Sequence, residues 1–176
     1  MSDELRGRGR SASDADDHLA AYLNEHLLAS EGGVHAFKAA ARTFEGSAHE
    51  AALLTLADEI ARDRRDLAKL IQQLGFRPKG WKRLFTLVFR AVGSINPINL
   101  LRIRRGSMAQ FELDFLTGAV RAKRSMWDAL LELAEDDPRL DRRFLAALQL
   151  RADQQIDELQ RINRETVRER FSPRDA

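Results

Sequence analysis

Four histidines and a scatter of carboxylates are the side chains best equipped for chemistry in this chain, because cysteine is absent. His18, Tyr22 and His26 recur every fourth residue, and Glu31 and His35 repeat the spacing. On a helix that spacing stacks side chains on one face. A Glu–His pair so placed can hold a divalent ion through carboxylate oxygen and imidazole nitrogen. Glu25, Glu31, His35, Glu59 and Glu112 form the set from which a metal site with non-standard ligands would be drawn. Against that chemistry, His18, His26, His35 and His49 all fall in the first third of the chain. Other reaction machinery is missing. "GRGR" and "EGG" lack the strand and the Lys-Ser/Thr context of a phosphate loop, and no Gly-x-Ser-x-Gly elbow occurs. Without cysteine there is no disulfide, thiolate metal site or thiol nucleophile. No catalytic residue, resident metal or cofactor is nominated.

Helices must position whatever these residues do. Four prolines, few β-branched runs and an abundance of Ala, Leu, Arg, Glu and Asp predict an all-α chain. Residues 1–13 are expected to form a disordered polar tail. Ser13 then offers an N-cap, followed by Asp14, Asp16 and Asp17 at the positive end of the helix dipole. Leu19, Leu23, His26, Ser30, Gly33, Phe37, Ala41 and Phe44 follow in steps of four and three, one helical stripe. A second helix is predicted over residues 48–74, with Leu53, Ala57, Ile60, Arg64, Leu67, Ile71 and Leu74 inward. Gly75 and Pro78 stop it. A third, over 107–134, has the stripe Met108, Phe111, Phe115, Ala119, Ala122, Met126, Ala129 and Leu133. A fourth, over 140–170, has Leu145, Leu148, Ala152, Gln155, Leu159, Ile162 and Thr166. Between the second and third, Trp81, Leu84, Phe85, Val88 and Val92 predict a short extra helix over 79–92. The expected architecture is a four-helix bundle with one long connection, a single domain over 14–170 and a tail from 171 to 176. Such a connection can start the second hairpin at the opposite end of the bundle.

Two features of these stripes bear on function. Gly32 and Gly33 interrupt an Ala- and Leu-rich helix at a cost of ~1 kcal/mol each relative to Ala. With Ala29, Ser30 and Ala36 they form a notch that a large aromatic, Trp127 or Trp81, is expected to fill. The competing reading is a break in the helix at the pair. The second feature is polar residues on core seams: His26, Ser30, Arg64 and Gln155, with Asp63 beside them. Buried, each needs a partner. They predict a buried polar network, with a small-ligand pocket as the competing reading.

Four helices with a long connection between the second and third resemble the ferritin-like superfamily. "YLNEHLLASEGGV", residues 21–34 without its first alanine, also resembles a motif of uncharacterised bacterial proteins in that broad group. The resemblance implies a bundle over about residues 14–170 and, in active members, a di-iron or di-manganese centre. That centre takes a Glu from each of two helices and a Glu-x-x-His from each of the other two. No Glu-x-x-His occurs in this chain. The corresponding stretches read Glu59-x-x-Arg62 and Asp153-x-x-Ile156. A guanidinium cannot ligate a metal, and its charge opposes one. The expectation is therefore a ferritin-like shape whose metal site has degenerated.

Charge is the remaining lead. The formal net charge is +2, yet residues 67–111 hold no acid and nine cations, which leaves 20 basic against 27 acidic residues elsewhere. Arg77, Lys79, Trp81, Lys82, Arg83, Phe85, Arg90, Arg102, Arg104 and Arg105 combine charge with aromatic side chains. Such a segment suits an acidic protein partner or an anionic membrane surface. Alternatively it packs as a solvated lid on the bundle, or meets the acidic part of a second copy in a homodimer. Nucleic acid is the weaker candidate, since no recognition motif accompanies the charge. With no cysteine, no apolar leader and no membrane-spanning run, the expected setting is the cytoplasm. The function expected is that of a non-catalytic interaction or scaffold protein, and the alternative is a ferritin-like metal protein.

Overall fold

The computed structural model describes residues 2–77 and 105–171, and within them the side chains of 13–77, 109–168 and 170–171. The described residues form four helices and no strand: α1 (Ser2–Thr43), α2 (Glu50–Gln73), α3 (Arg105–Leu133) and α4 (Arg142–Phe171). The protein is an all-α four-helix bundle in which α1 packs on α2 and α3 on α4. The helical path of α1 begins well ahead of the Ser13 cap that the sequence nominates. Ser2-Asp3-Glu4 is itself a helix-start sequence. The short extra helix expected over 79–92 lies outside the described residues.

Each helix buries a stripe at three- and four-residue steps. On α1, Leu23, Phe37 and Ala41 are buried, with Phe44 just beyond its end, and on α2, Leu53, Ala57, Ile60, Leu67 and Ile71. The α4 stripe runs Leu145, Leu148, Ala152, Gln155, Leu159, Ile162 and Thr166, all buried. Removing one such large apolar side chain from water is worth ~1.5–3 kcal/mol. Helix α3 departs from its sequence reading. Its buried seam is Leu113, Leu116, Val120, Trp127 and Leu130, with Lys123 completing the spacing. Phe111 and Phe115 are 57% and 55% exposed, Ala119, Ala122, Ala129 and Leu133 are also exposed, and the Met108 side chain lies outside the described ones. Of the expected stripe, Met126 is buried.

Helix ends are closed by specific devices. Gly75 takes φ +80°, its N–H donates to Gln72 O, and Phe76 N–H donates to Ile71 O. These two bonds form a Schellman stop, and Phe76 then packs against the core. Asp141 caps α4, its Oδ1 accepting the N–H groups of Arg143 at 2.9 Å and Phe144 at 3.2 Å.

Contacts between distant residues give the direction of each helix. At one end, Arg139 in the α3–α4 turn bonds Asp16 near the start of the described α1 side chains and lies over the Phe76 ring after α2. At the other, Arg170 of α4 lies over Phe44 after α1, and His49 before α2 is 3.7 Å from Glu165. Helices α2 and α3 are therefore parallel, so residues 78–104 join opposite ends of the bundle. Those ends are separated by the length of α3, whose 29 residues span roughly 43 Å.

Candidate functional site

Asp63 marks the polar centre of the bundle. It sits on the buried seam of α2, one position before Arg64, and its side chain is 3% exposed. Lys123 of α3 donates to Asp63 Oδ2 and to Gln155 Oε1. Arg151 of α4 donates to Asp63 Oδ1 at 2.7 Å and to Asp66 Oδ2 at 3.1 Å. The Gln155 amide donates to Glu59 Oε2 and Asp63 Oδ2, each at 3.1 Å. Three helices thus converge on one carboxylate whose oxygens are all engaged. A buried charge is tolerable on these terms, paired and hydrogen-bonded together. Burial pushes the Lys123 ammonium below its ordinary value, and the adjoining Asp63 charge opposes that shift.

Helical spacing explains why these groups meet. Asp63 lies three residues after Ile60 and four before Leu67 on the α2 seam. Lys123 stands between Val120 and Trp127 on α3 in the same way. Arg151 and Gln155 are one turn apart on α4. Of the sequence-nominated network, Asp63 and Gln155 are joined directly. Lys123, Arg151, Glu59 and Asp66 are members that the stripes alone did not nominate. The signal for Lys123 was its place in an otherwise apolar three-four rhythm, and for Arg151 its four-residue offset from Gln155.

His26, Ser30 and Arg64 take a different place. Together with Asp63 and Lys123 they line a cavity of about 180 Å³ between α1, α2 and α3, whose remaining wall is mainly apolar. Of the Gly pair, Gly33 lines this cavity and Gly32 is exposed. Helix α1 runs through the pair without a break, and Gly33 lines the space with Trp127. A Cβ on Gly33 would lie 3.7 Å from Ile60 Cγ2, an ordinary contact, and one on Gly32 would meet nothing within 4 Å. The notch therefore opens onto a space that Trp127 bounds without filling. Trp81, the other nominated occupant, lies outside the described residues. His26 stacks edge-on against Tyr22 with ring centroids 4.8 Å apart. Burial pushes its imidazole below the ordinary value, against the opposing charge of Glu25. Ser30 donates back to Leu27 O. Arg64 Nη2 is 3.5 Å from Glu31 Oε2, while its buried Nε has no partner. Trp127 is fully buried, and its indole Nε1 likewise has none.

The wider ligand set does not assemble. Among the described residues no three His, Asp or Glu side chains group as a metal site. His18, Glu25 and His35 are exposed; Glu31 faces Arg64 and Glu59 accepts from Gln155. Glu112 is half-buried on α3. Asp153, at the start of the second nominated metal stretch, accepts from Arg124 Nε at 2.8 Å.

The basic segment is described at its edges alone. Arg77 is exposed, and its carbonyl accepts from Asn24 Nδ2 at 3.4 Å. The backbone of Arg105 opens α3. Lys79, Trp81, Lys82, Arg83, Phe85, Arg90, Arg102 and Arg104 lie outside the described residues. No helix among the described residues is long and apolar enough to cross a membrane. Comparison of the chain with protein-family models, curated proteins and solved structures gave no match.

Proposed function

We propose that the protein is a non-catalytic, cytoplasmic interaction or scaffold protein, ferritin-like in shape, that meets an anionic surface through the basic segment following α2. An anionic membrane is the favoured surface, and an acidic protein is the related partner. The observation that carries this reading is the placement of charge on the fold. The 27 residues from 78 to 104, six of them cationic and none acidic, connect opposite ends of a bundle. The described residues of that bundle carry 22 basic and 26 acidic side chains. A long cationic connection on an anionic body favours a negative surface on one side and repels it elsewhere. Trp81, Phe85 and Phe89 add the aromatic content that interfacial segments use. The closed ion pairing around Asp63 supports the non-catalytic half of the reading, because a divalent ion there would have to displace Lys123 and Arg151.

Vesicle flotation tests it. The full chain is expected to float with anionic vesicles at low salt, to be released as salt rises, and to stay behind with neutral vesicles. The Lys82→Glu, Arg83→Glu double variant is expected to lose the interaction while keeping the helical circular-dichroism spectrum. Equal absence of binding to both vesicle types, with no binding to an acidic polymer such as polyglutamate or RNA at low salt, would overturn it.

A further inference from the structure

We infer that the cavity between α1, α2 and α3 is a binding site for a small aromatic carboxylate, held by its ring in the apolar wall and by its oxygens on donors that the protein leaves unpaired. The inference stands apart from the charged segment above, since it concerns a cavity of the bundle that opens to solvent beside Ala29, Ala119 and Ala122.

Three observations carry it. The first is size and lining. A space of about 180 Å³ bounded by Phe37, Ile60, Val120 and Met126, open at the exposed Ala29, Ala119 and Ala122, has room for a benzene ring, which an engineered cavity of ~150 Å³ takes up. The second is how the space is made. Gly33 sits in a helix where Ala would be accommodated without a clash, so close packing is not what requires glycine there. Its cost to the helix, ~1 kcal/mol relative to Ala, preserves volume.

The third is the balance of donors and acceptors. Asp63 is saturated by Lys123, Arg151 and Gln155. The Ser30 hydroxyl is spent on Leu27 O. Two buried donors on cavity-lining residues have no acceptor: Trp127 Nε1 and Arg64 Nε. Buried polar groups are satisfied in the great majority of native structures, and an orphaned buried donor costs ~1–3 kcal/mol. What the site lacks is an acceptor, and because Lys123 is neutralised by Asp63, the Arg64 guanidinium is the lining cation that favours a negatively charged one. An apolar body of benzene size bearing a carboxylate supplies both needs.

Benzoate is the probe, with toluene and acetate as single-feature controls, titrated into the full chain by calorimetry and by ¹H–¹⁵N NMR of the indole groups. Benzoate is expected to bind more tightly than either control and to move the Trp127 indole N–H resonance. Arg64→Met and Trp127→Phe are each expected to weaken benzoate by about tenfold or more, the scale of a lost charge-assisted hydrogen bond, and to change toluene affinity by much less. Arg64 is partly exposed, so its variant keeps the fold should the Trp127 variant fail to. Absence of benzoate binding, toluene binding as tightly as benzoate, or benzoate affinity indifferent to Arg64→Met would each overturn the inference.

Discussion

Asp63 and Lys123 illustrate how a single pair governs the interior. Asp63 is buried and Lys123 largely so, each belongs to a different helix, and neither charge is affordable without the other. Asp63→Leu alone leaves the Lys123 ammonium facing Gln155, and the expected destabilisation in urea unfolding is about 3–5 kcal/mol. Adding Lys123→Met is expected to restore most of that loss, since an apolar pair of similar volume replaces a buried ion pair at little or no net cost. A double variant no more stable than Asp63→Leu would contradict the pairing. His26 makes a second prediction at this scale. Its folded imidazole is held below 6.5 by burial. As pH falls through 6.5, the unfolded chain takes up a proton that the folded one refuses, so stability falls. His26→Gln is expected to flatten the urea midpoint between about pH 7 and about pH 5. Asp16 and Asp137 are held low by Arg139, so their protonation weakens the fold below 3.8, clear of that window.

Helices rather than residues decide what was legible. Stripes on α1, α2 and α4 read correctly because each offers one apolar phase. Helix α3 offers two. Phe111, Phe115, Ala119 and Ala122 make a plausible seam, and Leu113, Leu116, Val120 and Trp127 make the real one. What hides the real phase is Lys123, a charge in the middle of it, which a hydrophobic pattern counts as outward. Its partners lie on α2 and α4, beyond the reach of any reading of α3 alone. The polar centre was half legible for the same reason: Asp63 and Gln155 stand on readable seams, whereas Lys123 and Arg151 gain their meaning from pairing across helices. Glycines separate cleanly at this scale. Gly33→Ala meets only Ile60 at 3.7 Å and is expected to raise stability by about 1 kcal/mol through helix propensity. Gly75→Ala must hold φ near +80° and is expected to lower it by about 1–2 kcal/mol. Thermal unfolding of both variants checks the opposite signs.

At the scale of the whole molecule, two regions differ in charge. One is a bundle whose central carboxylates are neutralised by cations of the same chain. The other is an acid-free connection that spans its length. The long connection and the one-hairpin-per-half arrangement were legible from helix count and spacing. The length of the connection allowed the second hairpin to begin at the opposite end, and its direction is read from end-to-end contacts such as Arg139 with Asp16 and Arg170 with Phe44. The exposed Arg139–Asp16 ion pair contributes little energy, ~0–1 kcal/mol, so its value is as a marker of direction. The central claim is that Lys123 and Arg151 neutralise the carboxylate of Asp63 at the centre of the bundle, so that a metal ion there would have to displace them. Elemental analysis of the full chain purified without chelator tests it most directly. The account expects iron and manganese far below one equivalent per chain, and about two equivalents, lost together with stability on chelation, would contradict it.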